Sequence, residues 1–504
     1  MGDRPRPLQP GSSALGARQA LPRCTISGAA GLTGSGLAAS FGAKTLLVEQ
    51  DRLGGDCTWT GCIPSKTLLR VAASVHEVKR AQQWGVRVSE VEIDFRAVME
   101  HVRSVRQSVY DDADDPRHFE RIGVEVVQGQ ASFIDPHRLR VMSEGGERTV
   151  SARYVLLATG AQPRVPDIEG LSGVPFLTNE TLFEISDLPS RLLILGAGPI
   201  GAEMAQAFAR LGATTTVIDP AKRILSREDP ELASTVQNAL EAEGVTFYLG
   251  EGAERVRLDG DEIVTMTGER ELRADALLVA TGRKANLDSL NLENAGLALD
   301  GGEGLQVDAR CRTAVRHIYG AGDATQYPQL THMAEHMAKV AMTNAILKIP
   351  QKIDRARLNW CTFTDPELAH VGATQRELDE NGTSYEVHRL PYEKIDRAVA
   401  DAAQVGTIKV YATKWTGRIL GVSIVGAQAG ELIGEWSLAL RNGVPLREIS
   451  DTIHPYPTYA LGNRRTADLW YLERRPMWLL RLIRRLLGYQ GEVPTTEQLK
   501  EMMA

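Results

Sequence analysis

The segment 54–66 constrains this chain most strongly, because it places Cys57 and Cys62 five residues apart at what reads as the start of a helix. A disulfide requires its Cα atoms to lie within about 7 Å, whereas five residues of regular helix rise about 7.5 Å. We therefore expect Cys57 to lie in an irregular lead-in, which Gly61 permits, and a helix to begin near Cys62. The dipole of that helix favours a thiolate at Cys62, which indicates a reactive pair rather than an inert bridge.

Length and composition exclude several classes of protein. A chain of 504 residues is too long for one hydrophobic core, so several domains are expected. With 43% hydrophobic and 24% charged residues the chain reads as globular, and a net charge of −7 argues against nucleic acid as its main partner. Five cysteines are too few for a secreted disulfide framework, so a reducing compartment, cytoplasm or organelle, fits best.

A pattern of strand, glycine-rich turn, helix and second strand occurs twice. In the better copy an apolar strand at 192–195 precedes Gly196, Gly198 and Gly201, and the second strand ends in Asp219. Such glycines provide a tight turn, a close backbone approach to a pyrophosphate and close helix–strand packing, and the acid suits a ribose hydroxyl. This copy predicts a dinucleotide-binding turn.

The other copy is defective. Counted back from Glu49, Gly28 and Gly31 take the second and third glycine positions and Ile26 takes the first, at the spacing found in the better copy. A β-branched residue is stiff and disfavours a tight turn. We therefore expect this turn to bind its dinucleotide poorly; a merely flexible loop over 28–36 is the alternative.

The order Gly-Gly-x-Cys-x-x-x-x-Gly-Cys-x-Pro-Ser-Lys in 54–66 resembles the active-site signature of the flavin- and pyridine-nucleotide-dependent disulfide oxidoreductases, the family of dihydrolipoamide dehydrogenase, glutathione reductase and mercuric reductase. The resemblance implies an α/β fold with two Rossmann-like dinucleotide-binding domains, for FAD and NAD(P), and a C-terminal α+β dimerisation domain. It also implies a homodimer whose active sites take residues from both subunits.

By the same resemblance the chain divides into six segments. They are an irregular N-terminal segment (1–23) that is a disordered start or a weak transit peptide, the first part of the FAD-binding domain (24–175), the NAD(P)-binding domain (176–285), the second part of the FAD-binding domain (286–350), the dimerisation domain (351–470) and a basic amphipathic tail (471–504).

The resemblance also assigns roles to residues. Electrons would pass from NAD(P)H through FAD to a Cys57–Cys62 disulfide, with Cys62 against the flavin and Cys57 as the exposed thiol that attacks substrate. Lys66 resembles a family lysine beside the flavin, and Glu203 its acidic partner. In the alternative, Lys66 and Glu203 are both exposed to solvent and do not contact each other.

Cofactor contacts are expected at residues of the glycine turns, of the two Ala-Thr-Gly segments and of a Gly-Ala-Gly-Asp segment. Asp219 suits an unphosphorylated ribose, so NADH is expected over NADPH, although Lys222 and Arg223 weaken that preference. No resident metal is expected. The predicted cofactor-binding residues are Gly28, Gly31, Glu49, Gly55, Lys66, Thr159, Gly160, Gly196, Gly198, Gly201, Asp219, Gly282, Gly322 and Asp323.

One segment departs from the family pattern. Most members carry His-Pro-Thr followed by a Glu, which together act as general acid and base, but here Tyr456 holds the His position and Leu461 the Glu position. A tyrosine there resembles mercuric reductase, although phenols titrate far above neutrality and shuttle protons poorly at pH 7. His454 either substitutes as the catalytic group or has a structural role.

The mercuric-reductase-like branch is the nearest, but the metal-handling members carry a C-terminal vicinal cysteine pair and 497–504 shows none. We therefore expect a thiol or disulfide substrate, small molecule or protein. A metal-ion reductase and a flavin-poor inactive scaffold are the alternatives. Arginines alternate with apolar residues at helical spacing over 474–487, which predicts a basic amphipathic helix that packs on the dimer or contacts a membrane surface.

Overall fold

The computed structural model describes residues 23–26, 28–299, 304–354 and 358–503. The predicted irregular segment 1–23 therefore lies outside the described residues except for its last position. The first group of strands comprises β1 (Arg23–Ile26), β2 (Thr45–Glu49), β3 (Val124–Asp135), β4 (Arg138–Ser143), β5 (Gly146–Ser151), β6 (Val155–Leu157) and β7 (Ala161–Pro163). The helices of this part are α1 (Ala29–Ser40), α2 (Gly55–Trp59), α3 (Cys62–Arg80), α4 (Phe95–Val109), α5 (Pro116–Arg121) and α6 (Asn179–Leu182).

The second group forms the middle of the chain. Its strands are β8 (Arg191–Leu195), β9 (Thr214–Asp219), β10 (Thr246–Leu249), β11 (Arg255–Asp259), β12 (Glu262–Thr267), β13 (Arg270–Ala274), β14 (Ala276–Val279) and β15 (Arg283–Ala285). Its helices are α7 (Pro199–Leu211) and α8 (Pro230–Ala242). The chain then returns to the first group with β16 (Ile318–Gly320) and α9 (Thr331–Met342).

The last group begins after residue 358. Its strands are β17 (Asn359–Thr362), β18 (Glu367–Gly372), β19 (Glu386–Pro391), β20 (Thr407–Ala412) and β21 (Ile419–Gly426). Its helices are α10 (Gln375–Glu380), α11 (Asp396–Ala400), α12 (Ala429–Asn442), α13 (Leu446–Asp451), α14 (Leu461–Glu473), α15 (Met477–Leu486) and α16 (Thr496–Met503).

The sheets confirm the predicted fold class. The first group forms a seven-stranded sheet of order β16-β6-β1-β2-β3-β4-β5, parallel from β16 to β3. The second group forms a parallel sheet of order β10-β9-β8-β14 with an antiparallel β11-β12-β13 sheet beside it. The last group forms an antiparallel sheet of order β17-β18-β21-β20-β19. Two open parallel sheets plus one antiparallel sheet are the arrangement expected for two dinucleotide-binding units and an α+β unit.

The glycine turn before α7 has the geometry that its sequence predicts. Gly196 has a φ of +109° and a Cβ there would lie 2.4 Å from the carbonyl oxygen of Ala280. A Cβ on Gly201 would lie 1.9 Å from the carbonyl oxygen of Gly196, so only glycine allows this helix–strand contact. A Cβ on Gly198 would meet no atom within 4 Å, which leaves its backbone open to a ligand.

The turn before α1 differs from its predicted register. Ile26 is the last residue of β1 and pairs with Val48, as Leu195 pairs with Ile218 in the other unit, so Ile26 is a strand residue and not the first glycine. Gly28 has a φ of +139° and a Cβ there would lie 2.1 Å from the carbonyl oxygen of Ala158. Gly28 is the N-cap of α1, so two positions separate β1 from α1, whereas three positions separate β8 from α7. This turn is therefore one residue shorter than its counterpart. The expectation of poor dinucleotide binding therefore loses the support that it drew from Ile26.

We expect Gly28→Ala to lower the free energy of unfolding by about 1–3 kcal/mol, because the methyl group meets a carbonyl oxygen and the backbone has a left-handed φ. The matched control is Gly36→Ala in the same helix, where a Cβ would meet only the Ile122 side chain at 3.9 Å. This control should raise the free energy of unfolding by about 0.5–1 kcal/mol through helix propensity. Denaturant unfolding of both variants measures the difference, and equal effects would contradict the geometry at Gly28.

Candidate active site

A cavity of about 1040 Å³ brings together most of the predicted site residues. It is lined by residues of α1, the α2–α3 pair, the start of α7 and the start of α9, and by residues of β17 and Phe363. The predicted residues that line it are Gly28, Glu49, Gly55, Cys57, Cys62, Lys66, Thr159, Gly160, Glu203, Gly322 and Asp323. Gly196, Gly198, Gly201, Asp219 and Gly282 do not line it, although Pro199 and Ile200 of the following helix do.

The two cysteines flank a break between helices. Cys62 is the first residue of α3, as expected, but the lead-in is ordered: Cys57 lies inside the short helix α2. The break falls at Gly61, where a Cβ would lie 2.8 Å from the carbonyl oxygen of Asp56. A glycine is therefore required at this point for the chain to fold back and place one thiol near the other. Both thiols are free.

The two thiols differ in acidity. The pKa of Cys62 is lowered to about 6, chiefly because the Cys57 side chain hydrogen-bonds to it, with further help from Thr331 and the Lys66 ammonium. Its Sγ lies 3.3 Å from the Thr331 hydroxyl oxygen. The pKa of Cys57 is raised well above its usual range, because its proton is shared with Cys62 and because the thiol is buried. The pair therefore stores one thiolate, at Cys62.

Lys66 and Glu203 are in contact, as the family resemblance predicted and as the solvated alternative did not. Lys66 Nζ lies 2.9 Å from Glu203 Oε2, and the Glu203 side chain is only 5% exposed. The other oxygen, Oε1, accepts a hydrogen bond of 2.9 Å from the backbone N–H of Phe363. The Lys66 ammonium also lies 4.6 Å from the centre of the Phe363 ring. A buried carboxylate requires such partners, and this one has them from two other units of the fold.

Two buried polar atoms on residues that line the cavity, Thr159 Oγ1 and Arg283 Nε, have no hydrogen-bond partner among the described residues. Burial lowers the pKa of Arg283 and raises the pKa of Asp323. The two charged groups lie 3.7 Å apart, and their attraction partly offsets both shifts. Arg283 also contacts the Asp56 carboxylate. Buried polar atoms without partners need a ligand to satisfy them. Thr159 and Arg283 supply such atoms near the Gly28 turn, where only glycine fits, so these residues suit FAD.

The acids that end β2 and β9 both accept hydrogen bonds from the loop that follows their strand, and Asp219 also accepts one from its glycine turn. Asp219 Oδ2 accepts from the Ala197 N–H at 2.6 Å and Oδ1 accepts from the Ala221 N–H at 2.7 Å. Glu49 Oε1 accepts from the Asp51 N–H at 2.9 Å. Both carboxylates lie at the carboxyl end of a parallel strand, which is where a ribose is bound in such folds.

Tyr456 and His454 lie outside this cavity. Tyr456 is 71% exposed and the neighbouring Ile453 is 93% exposed, so this loop presents two large side chains to solvent. The His454 ring is buried instead: Nε2 lies 2.9 Å from Glu435 Oε1 and Nδ1 lies 3.1 Å from the carbonyl oxygen of Thr452. Leu461 is buried. His454 therefore fastens the loop to α12, while Tyr456 is free to reach another surface.

Four residues of the site were missed by the sequence analysis. Thr331 contacts Cys62 across 269 positions of chain, and no local pattern marks it. Asp56 lies within the segment 54–66 and Arg283 directly follows Gly282, but no local pattern shows that their charges meet. Cys361 lines the same cavity, and burial raises the pKa of its thiol. Gly31 is the reverse case: it lies buried inside α1 rather than along the cavity.

Comparisons with known proteins agree with this geometry. The family model of pyridine nucleotide-disulphide oxidoreductases matches residues 27–338, and the dimerisation-domain model of the same family matches residues 358–464. A mercuric reductase of Lysinibacillus sphaericus is 35% identical over 459 residues, covering 88% of this chain and 82% of the relative. A dihydrolipoyl dehydrogenase of Haloferax volcanii is 35% identical over 444 residues, covering 86% and 92%.

Solved structures give the same result. LpdA from Mycobacterium tuberculosis superimposes with a TM-score of 0.83 at 27% identity, covering 89% of this chain and 99% of that one. The HOCl-induced flavoprotein disulfide reductase RclA from Escherichia coli superimposes with a TM-score of 0.80 at 29% identity, covering 90% and 99%. Members of this family use FAD and NAD(P)H, and the dimerisation domain supports a homodimer. The chain belongs to the pyridine nucleotide-disulfide oxidoreductases, enzymes that pass electrons from NAD(P)H through a flavin.

Proposed function

We propose that this enzyme reduces a disulfide substrate, small molecule or protein, through the Cys57–Cys62 pair. The observation that carries the proposal is the unequal acidity of two adjacent thiols on one cavity wall. Such a pair suits thiol–disulfide exchange, because a stored thiolate can resolve the mixed disulfide that its neighbour forms.

The exchange balances as two steps. The proton of Cys57 passes to the Cys62 thiolate, and Cys57 Sγ forms a bond to one substrate sulfur as the substrate S–S bond breaks. The first thiol leaves with the proton now on Cys62, which restores the Cys62 thiolate. The Cys62 thiolate then forms a bond to Cys57 Sγ, the mixed disulfide breaks, and the second thiol leaves with a proton from solvent. Two electrons have then passed from the dithiol to the substrate, and the Cys57–Cys62 disulfide must be reduced again.

Residues on the cavity wall would hold the cofactor that performs this reduction. FAD, when bound, accepts hydride from the nicotinamide and supplies the electron pair to the disulfide. The Gly28 turn, Glu49 and the Thr159 and Asp323 side chains would hold it, since all of them line the cavity and the buried Thr159 hydroxyl has no hydrogen-bond partner among the described residues. Lys66, fixed by Glu203, adds a cation to the same wall.

Cys62→Ser should abolish turnover of disulfide substrates, because no thiolate remains to resolve the mixed disulfide. NADH oxidation with an artificial flavin acceptor such as a quinone should persist, because it does not need the pair. The matched control is Cys311→Ser, a free and fully buried thiol outside the cavity, which should keep both activities. Disulfide turnover in Cys62→Ser at the unaltered rate would refute the proposed role.

Lys66 contributes to the acidity of Cys62, so Lys66→Met should raise the pKa of Cys62 above its value of about 6. The sign follows because removing a nearby cation destabilises the thiolate. The measurement is the ultraviolet absorbance of the thiolate in the reduced protein as a function of pH. Lys79→Met, near the other end of α3, is the control and should leave the titration unchanged. An unshifted curve in Lys66→Met would show that its ammonium does not act on the thiol.

We further propose that NADH is preferred to NADPH. The Asp219 carboxylate is already bound by two backbone N–H groups, so its charge is fixed at the place where a 2′-phosphate would enter. The kcat/KM for NADH should exceed that for NADPH. A steady-state comparison with NADPH at least about tenfold better would overturn this preference, because repulsion by a fixed carboxylate could not permit it.

Tyr456 is proposed to act at the active site of the partner subunit, since its side chain is exposed while His454 is held by Glu435. Tyr456→Phe should lower disulfide turnover by about 10- to 100-fold, at or below the lower end of the roughly 10²–10⁴-fold range of general acid–base catalysis, because a phenol transfers protons poorly at neutral pH. Lipoamide and glutathione disulfide should be poor substrates of the unaltered enzyme. The control is Tyr489→Phe, an exposed tyrosine on the tail. If His454→Gln lowers turnover more than Tyr456→Phe while thermal stability is unchanged, His454 carries the proton instead.

A metal-ion reductase is the second candidate. The observation that favours it is the third thiol, Cys361, on the wall of the cavity that holds the Cys57–Cys62 pair, because thiolates are the ligands that soft metal ions prefer. Several relatives are mercuric reductases. NADH oxidation driven by mercuric ion in excess thiol, lost in Cys361→Ala and faster than with any disulfide tested, would favour this candidate.

A further inference from the structure

Helix α15 is the most exposed apolar element among the described residues, and the chemistry of the active site makes no use of it. None of its ten residues, Met477–Leu486, is buried. Trp478 is 70% exposed and Leu486 is 73% exposed, and Leu482 and Ile483 are also exposed. Residues 478, 482 and 486 are four apart and lie along one face of a helix, with 479 and 483 beside them.

The other face of α15 is basic. Arg481 and Arg484, three positions apart, lie away from the apolar face, and Arg485 lies at its edge beside Trp478. Arg474 and Arg475 precede the helix, so the segment 474–491 contains five arginines and no acidic residue, in a chain whose net charge is −7. Positive charge is therefore concentrated beside the exposed apolar face.

The structure holds α15 in place at both ends. Arg474 bonds to the carbonyl oxygen of Trp470 at 3.0 Å and contacts Glu386. Beyond α15 the chain returns to pack α16 on α14, and Lys500 contacts Glu473. The exposed face thus lies on a helix braced between two docked segments rather than on a loose end.

A second exposed tryptophan lies beside this helix. Trp415 is 80% exposed, and the preceding Lys414 offers its carbonyl oxygen to Arg474 Nε and to Trp470 Nε1. Tryptophan with a neighbouring lysine or arginine is enriched where protein meets the headgroup region of a bilayer. Trp415 is distant in sequence from α15, so it is an independent observation near the start of that helix.

We propose that α15 docks this enzyme on an anionic phospholipid surface, lying in the plane of the membrane. The helix is about 15 Å long, too short for a bilayer core of about 30 Å. No helix among the described residues meets the requirements of a membrane span. A wide apolar face flanked by arginines instead suits the boundary between headgroups and acyl chains.

A second copy of the chain fits this face less well. A stable protein–protein interface buries about 800 Å² on each partner. One face of a helix about 15 Å long and about 10 Å wide offers far less area than that, so a second copy on α15 would require most of its interface elsewhere, in the dimerisation domain. A bilayer sets no such minimum, and its negative surface complements Arg481, Arg484 and Arg485.

The test uses the full-length, FAD-loaded enzyme and flotation with vesicles of phosphatidylcholine containing about one third phosphatidylglycerol. The enzyme should float with these vesicles, bind much less to pure phosphatidylcholine, and be released by high salt. Leu482→Glu should lower the vesicle partition coefficient about tenfold or more, because it places a charge on the apolar face. The control Leu258→Glu alters an exposed leucine on β11 and should bind as the unaltered enzyme does.

Both variants should keep NADH oxidation with an artificial acceptor, which shows that they are folded. The proposal is overturned if the unaltered enzyme fails to float with anionic vesicles, or if Leu482→Glu floats equally well. It is also overturned if the enzyme does not float and Leu482→Glu instead halves the molar mass seen by light scattering, since α15 would then join two copies. Failure of either kind leaves the proposed disulfide chemistry untouched, because that chemistry is tested in solution.

Discussion

The buried carboxylate of Glu203 is the interaction on which the arrangement of the three sheet units depends. It lies on α7 of the middle unit, binds Lys66 on α3 of the first unit and accepts from the backbone of Phe363 in the last unit. Two further polar residues on α7, Gln206 and Arg210, continue this contact by bonding to Asp365. A charge removed from water must be paired, so the units cannot separate at this point without leaving it unsatisfied.

This junction also sets the chemistry. The Lys66 ammonium that Glu203 holds is one of the groups that lower the pKa of Cys62. The contact between the units therefore affects the acidity of the reactive thiol. The break at Gly61 has the complementary role, because it brings Cys57 from one helix to the first residue of the next. The break at Gly61 thus fixes the distance between the thiols, and the Lys66–Glu203 pair fixes the charge beside them.

Much of this site could be predicted because its signals are local. The cysteine spacing and the Gly196 turn stand in short motifs whose geometry follows from few residues, whereas the Lys66–Glu203 contact was predicted by the family resemblance. Prediction failed where geometry depends on register or on distant chain. Ile26 was misplaced because counting back from Glu49 assumes that both turns have equal length, and one is a residue shorter. Thr331 and Cys361 reach the cavity through folding alone.

The Asp219 side chain links the choice of coenzyme to the stability of the glycine turn. Its two oxygens hold the backbone of Ala197, inside the glycine turn, and of Ala221, in the loop that follows β9. The side chain that selects between coenzymes is thus also a structural brace. Evolution towards the phosphorylated coenzyme by exchanging this residue would loosen the turn at the same time, so such a change requires a second substitution that restores the lost hydrogen bonds.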